Sequence, residues 1–367
     1  MKLFKKSKGT VCRFIVMITC IALLMVPSCK PKEQEKENPS VTRQRDSLQN
    51  IYQKNVALEP DSVTVQKLMQ DFEKERKQFQ NTVNSMYPGL LSKFEKDAGA
   101  MLKIKDGDFT ERLAAIDQIE TNIREKYYAK FKKAWAASGI SDETIREKYQ
   151  KRLGKVPYEV GEFGVGVIRQ ALGGNREPEF PADTVLTFGC PVFEVRETNS
   201  SCGLFAFADF ISLGDCFINV NTGTSIIAGG CDLWAMLGKQ VNVPSPVADL
   251  TGTCRGNYNL FAIAIGVAGV SYSSAMVGAE ITDGNSLVQR EHAKIWALAP
   301  IFWFARVSES RTAQVITVGF HKGAGHAATV NVKAYARAGM GGGGVGASAG
   351  AIASWSFVNG ITVQMMR

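Results

Sequence analysis

Histidine is scarce in this chain: only His292, His321 and His326 occur among 367 residues. Imidazole is the side chain most used for general-base work and metal ligation near neutral pH, so both chemistries have little to draw on. His321 and His326 flank Lys322-Gly323-Ala324-Gly325, a turn signal, and no carboxylate lies near either in sequence. They read as polar turn residues. The cysteines lack the spacing of a metal site. Cys190, Cys202, Cys216, Cys231 and Cys254 fall within 65 residues, but no two make C-x-x-C and no His lies between them. That pattern argues against structural zinc. After Ser348 there is no Asp, Glu or His. The run Gly346-Ala347-Ser348-Ala349-Gly350 matches G-x-S-x-G, yet a nucleophile elbow needs its acid and His later in the chain. Gly339, Gly341 and Gly344 fit G-x-G-x-x-G without the βαβ unit or the later acidic residue of a dinucleotide site. Neither match carries chemistry, and no cofactor or metal is expected.

Acidic residues are also missing before Glu33, where Lys2, Lys5, Lys6, Lys8 and Arg13 precede an apolar run from Phe14 to Val26. A basic start and a run shorter than the roughly 20 residues of a spanning helix form a secretory signal. Val26-Pro27-Ser28-Cys29 then resembles the lipobox of bacterial lipoproteins, in which cleavage leaves a diacylglycerated Cys as the first residue. The resemblance covers the first 29 residues and implies lipidation at Cys29, with the mature chain seated on a membrane, not across it. Residues 30–39 are polar and rich in Pro and Glu, the composition of a tether. This charged stretch resembles the surface-export signals of Bacteroidetes lipoproteins, which implies an outer-membrane, surface-facing location.

Removing residues 1–28 deletes five basic and no acidic residues, so the formal charge falls from +8 to +3. The high isoelectric point belongs largely to the leader, and nucleic acid is not an expected partner. Composition then divides the rest. Residues 30–155 hold five glycines, 25 Lys or Arg and 20 Asp or Glu; residues 156–367 hold 29 glycines, 13 Lys or Arg and 15 Asp or Glu. The expected organisation is a signal peptide (1–28), lipidated Cys and tether (29–41), helical region (42–155), linker (156–182) and glycine-rich β domain (183–367).

In the helical region Val65, Phe72, Phe79 and Met86 recur at sevens beside Leu68 and Val83, until Pro88-Gly89 interrupts them. Leu113, Ile116, Ile119, Ile123, Tyr127 and Phe131 form a second stripe. Asp108 or Thr110 suits its N-terminus and Ser138-Gly139 its C-terminus. Ser141, followed by Asp142 and Glu143, opens another helix to about Arg152. Glu73-Lys74-Glu75-Arg76-Lys77 and Arg124-Glu125-Lys126 read as solvated faces.

From Asp183 onward the period becomes two. Thr329–Ala338 alternates polar and apolar residues, Phe261, Ile263, Ile265 and Val267 alternate with small residues, and Gln314–Phe320 and Ser354–Gln364 behave alike. Asn221-Thr222-Gly223, Asp283-Gly284-Asn285 and Asn359-Gly360 are the turn signals. The fold class expected is therefore α+β: a helical hairpin or small bundle, then an antiparallel β sandwich or barrel. Small residues on one strand face imply close backbone approach, to a second sheet or a docked helix. Leu260–Ala279 and Ala338–Met366 lack charge and are long enough to span a bilayer, but their setting among alternating strands favours buried β structure. Export permits disulfides, so the five clustered cysteines are expected to supply two bridges and one leftover thiol, with the pairing open.

Two weaker constellations complete the survey. Asp209 and Asp215 flank a hairpin segment as a candidate carboxylate pair. Trp296, Phe302, Trp303 and Phe304 form an aromatic cluster that suits a strand core better than a ligand groove. The leading expectation is an envelope lipoprotein with a non-enzymatic binding or interaction module for a protein or glycan partner. A membrane-active protein and a hydrolase with a dispersed site are the alternatives.

Overall fold

The computed structural model describes residues 67, 70–101, 108–153, 159–160, 166–170, 184–190, 194–202, 208–245, 247–284, 286–299, 303–322 and 327–366. The leader, Cys29, the tether, Val65, Leu68 and His326 lie outside them. All the described residues belong to one compact unit, Asn50–Arg367.

Among the described residues four helices come first: α1 (Glu73–Met86), α2 (Leu90–Met101), α3 (Phe109–Ser138) and α4 (Asp142–Leu153). Their ends follow local chemistry. Asp108 accepts from the Glu111 amide while the Glu111 carboxylate accepts from the Asp108 amide, a complete capping box. Gly139, left-handed at φ 70°, closes α3. The Ser141 hydroxyl accepts from the Thr144 amide to start α4. Both stripes face inward: Phe72, Phe79, Val83, Ile116, Ile123, Tyr127 and Phe131 are buried. Met86 departs from its stripe and is 41% exposed, because α1 stops there, one residue short of Tyr87-Pro88-Gly89.

The first charge run also differs from expectation. Glu73 and Lys77 do pair on the surface, but Glu75 is buried and accepts from Lys148 Nζ at 2.6 Å. Lys148 also donates to the Asp71 carbonyl, so the pair ties α4 to α1. Period-seven spacing gave no hint of this, because the partner sits 73 residues away.

Most of the described residues are β, and among them ten antiparallel strands form one sheet that is nearly closed into a barrel-like wall. They are β1 (Glu159–Val160), β2 (Gly166–Gln170), β3 (Thr184–Phe188), β4 (Val195–Cys202), β5 (Ala208–Leu213), β6 (Phe217–Val243), β7 (Asp249–Asp283), β8 (Ser286–Ala299), β9 (Trp303–His321) and β10 (Ala328–Met366). β1 and β2 fall inside the stretch read as a linker, and β2 pairs with β8. Of the expected turns, Asp283-Gly284 joins β7 to β8. Asn221-Thr222-Gly223 runs inside β6 instead, and Gly360 marks a break in the β10 register. Cross-strand pairing overrode the local turn signals at both places.

β6, β7 and β10 are too long to stay straight. Ser273 Oγ donates to the Ile263 carbonyl at 2.8 Å, and Ser271 Oγ to that of Ile265 at 2.7 Å. Ten residues of extended strand cover roughly 33 Å, so β7 turns back on itself between these pairs. The bend runs across the sheet where Gly343 is level with both Ala228 and Val270, and Gly344 with Gly269. A Cβ on Gly269 would stand 2.7 Å from the Gly343 carbonyl, and Gly344 adopts φ +99°. Glycine is the residue that fits such a corner.

The two layers meet through a core of Leu260, Ala262, Ala264, Val277, Ile281, Ile295, Val318, Val332, Ala351 and Trp355, among others. Outside the corner, Phe261, Ile263, Ile265 and Val267 of β7, with Trp296 and Leu298 of β8, share a second core with all four helices. This arrangement explains the uncharged run in β7: its large side chains face the helices, and its small ones face the opposite layer. A strand buried on both faces loses the polar half of its alternation. Two arginines pin the helices down. Arg76 donates to the Ala268 carbonyl at 3.3 Å beside Gly344. Arg306 pairs with Asp117 and Glu120 of α3 while its guanidinium lies 5.5 Å from the Phe261 ring centre.

Candidate functional site

The cysteines anchor the edge of the sheet. Cys190 bonds to Cys216, tying the end of β3 to the β5–β6 turn, and Cys202 bonds to Cys231 directly across β4 and β6. Cys254 is the leftover thiol, fully buried, with burial pushing its pKa up to about 12. Its chemistry is that of a small hydrophobe.

The other sequence candidates do not converge. Asp249, the first residue of β7, brings its Oδ1 to 2.6 Å from His321 Nδ1, a partner that sequence distance concealed. His292 is buried on β8, level with Gly278. Asp215 pairs with Arg196 at 3.3 Å, while the backbone of Asp209, in β5, is level with Thr222 of β6. The side chain of Asp209 lies outside what the structure describes, so of the expected carboxylate pair only the Asp215 ion pair is on view. Trp296 is buried under the helices, Phe302 lies outside the described residues, and so do the side chains of Trp303 and Phe304. Ser348 is fully buried inside β10, level with Ile265 and Ser225, which removes any elbow geometry. Among the described residues no three His, Cys, Asp or Glu side chains cluster as a metal site.

What the registers do gather is a polar and aromatic grid on the outward face of the sheet. Trp234 of β6 stands level with Asn199 of β4 on one side and Arg337 of β10 on the other. The row on one side is Glu197, Met236 and Tyr335; the row on the other is Ser201, Asp232 and Gly339. Side chains two residues apart share a face, so the other eight positions surround Trp234. At the corner by Gly339, where a Cβ would stand 3.2 Å from Ser274 Oγ, Arg337 donates to both carboxylate oxygens of Asp232, at 2.7 and 2.9 Å. Asp232, Arg337 and Glu197 stay 38%, 42% and 39% exposed. Trp234 itself is half-buried, packing on the cluster of Met236, Met276 and Tyr335.

Behind this rim the face is held by charges of alternating sign. Lys333 Nζ lies 2.8 Å from Glu197 and 3.8 Å from Glu280, whose other oxygen accepts from Arg290 Nε at 2.9 Å and Nη2 at 2.5 Å. The Arg290 guanidinium covers the Tyr335 ring at 4.9 Å, and the Tyr335 hydroxyl donates to Met276 Sδ at 3.2 Å. Gly278 and Gly238 make this possible, since a Cβ on either would run into Tyr335 or Lys333. Charge-assisted pairs in a partly dry setting fix side-chain positions better than exposed ones do. The rim beside Trp234 is therefore preorganised. Sequence alternation in β10 marked Lys333, Tyr335 and Arg337 as one face; the partners on β4, β6, β7 and β8 appear only with the register.

No protein-family model matches the sequence, and no curated protein is similar to it. Among solved structures, one similar chain is TmCBM61 in complex with β-1,4-galactotriose, at 9% identity and a TM-score of 0.17. The likeness covers 46% of this chain and 88% of that one. Another is the enzymatically active domain of bacteriophage CBA120 tailspike protein 4, at 8% identity and a TM-score of 0.14, covering 48% and 20%. Scores this low leave the reading of the site to its own residues.

Proposed function

We propose that this protein is a lipid-anchored lipoprotein of the bacterial envelope, tethered through Cys29, whose β domain is a binding module and not an enzyme. The observation that carries the binding role is the outward row Asn199–Trp234–Arg337, an aromatic side chain framed by fixed polar groups on a rigid sheet. Binding surfaces are enriched in Trp and Arg in just such a setting. Anchoring rests on the leader and Val26-Pro27-Ser28-Cys29, with two or more acyl chains sufficient for stable attachment. The membrane-active alternative finds less support. Most of Leu260–Ala279 is buried between the second layer and the helices, and no described helix is long and apolar enough to cross a membrane, which says nothing of strands.

The test has two arms. Globomycin should cause accumulation of the uncleaved precursor, and Cys29→Ser should abolish palmitate labelling; an unlabelled wild type sinks the anchor. In the second arm, envelope polysaccharide and protein fractions are incubated with the full chain in detergent. Retained material should keep its original length and be lost with Trp234→Ala. Shortened chains would favour the hydrolase instead.

A further inference from the structure

We infer that the Trp234 face takes an uncharged glycan, about two sugar units at a time, an inference that rests on reading this face as a binding surface. Charge is the first reason. The ionised groups of the rim are matched within the protein: Asp232 with Arg337, Glu197 with Lys333, and Glu280 with Arg290. An anionic or cationic ligand would have to compete for partners already held in bidentate or ladder geometry. A neutral polyol instead uses the lone pairs and N–H groups these ion pairs leave over, since a carboxylate accepts about four hydrogen bonds and a guanidinium donates five.

Shape is the second reason. Asn199, Trp234 and Arg337 stand on three adjacent strands; at about 4.8 Å between strands the row spans roughly 10 Å, the reach of two linked pyranose rings. The aromatic ring lies at its centre, where a pyranose can lay its C–H face on the indole while its equatorial hydroxyls meet the polar neighbours. Asn199 is exposed and offers both a donor and an acceptor, and Asp232 and Arg337 close the opposite corner. The two carboxylates on either side of the row, Glu197 and Asp232, are held in ion pairs with Lys333 and Arg337, which suits them to accept hydrogen bonds from a bound sugar rather than to act as an acid and nucleophile on it.

Affinity electrophoresis of the detergent-solubilised full chain tests this, with hydroxyethyl cellulose, an α-mannan and an arabinogalactan as neutral probes and polygalacturonate and dextran sulfate as charged ones. Retardation by at least one neutral polymer is expected, persisting in 0.5 M salt because screening weakens ion pairing and not stacking. Trp234→Ala should weaken it about tenfold or more, Trp234→Phe should retain most of it, and Asn199→Ala should weaken it without touching the core. The inference is overturned if no neutral polymer retards the chain, or if retardation survives Trp234→Ala in a protein with unchanged thermal midpoint. Retardation by the charged polymers alone, abolished by salt yet dependent on Trp234, would overturn the neutral ligand and leave the binding face standing.

Discussion

The Tyr335 ring lies across Gly278, with its Cε1 2.6 Å from the point that a Cβ at position 278 would occupy. The same Cβ would crowd the backbone carbonyl of Glu291 on β8 still more closely, so Gly278→Ala should displace both that strand and the ring and disturb Arg290, which covers the ring. Overpacking of this kind costs about 1–3 kcal/mol. Gly189→Ala, where nothing stands within 4 Å of the added methyl, is the comparison. Urea unfolding should show a lowered midpoint for Gly278→Ala only; equal midpoints would mean that the contact between ring and glycine is unimportant.

The same pair shows how much the sequence made legible. Alternation in Thr329–Ala338 identified the apolar face that now packs as Val330, Val332, Ala334, Ala336 and Ala338. It did not reveal that Tyr335 and Lys333 on the polar face are buried, because what covers them comes from Gly278, Arg290 and Glu280 on other strands. The caps at Asp108 and Gly139 were readable since each is a local backbone effect. The Trp234 grid was not, because registers among five strands depend on long-range pairing that no local window contains. Trp234 sits in Cys231-Asp232-Leu233-Trp234, where buried Cys231 and Leu233 alternate with it. That alternation was the one available signal.

Glu291 stands level with Ala279 on the inward row of β8, and its Oε1 is buried without a hydrogen-bond partner among the described residues. Burial pushes its carboxyl up from 4.5 to about 7. The folded state then binds more protons than the unfolded chain between these values, so stability falls as pH rises through that window and levels off above it. Glu291→Gln should remove this slope and be the more stable protein at pH 8. Urea midpoints at pH 5 and pH 8 for both proteins decide the matter; parallel pH curves would count against the raised carboxyl.

The bond between Cys202 and Cys231 closes a loop with a sequence separation of 29 and holds β4, which among the described residues pairs with β6 alone. On loop-entropy grounds a cross-link of this size contributes about 3–4 kcal/mol. The double change Cys202→Ala, Cys231→Ala should lower the thermal midpoint and speed amide exchange over Val195–Cys202, while β7 keeps its protection. Since β4 carries Glu197 and Asn199, ligand retention by the Trp234 face should weaken as well. Unchanged exchange over β4 would show that backbone pairing holds the strand without the bond.

Arg306 joins the helical layer to the sheet, pairing with Asp117 and Glu120 across a sequence separation of 186 from the latter. Glu120 is buried and keeps Arg124 as a second partner, at 2.8 Å, so Arg306→Ala leaves the carboxylate poorly paired but not alone. The guanidinium also loses its place over the Phe261 ring. Removing one partner of such a hydrogen-bonded pair costs about 1–3 kcal/mol. A double-mutant cycle with Glu120→Ala should return a coupling of at least about 0.5 kcal/mol, the lower range for residues in direct contact. Additive effects would mean that apolar packing of Phe131, Ile123 and Tyr127 against β7 and β8 holds α3 in place by itself, with the ion pair incidental to the joint.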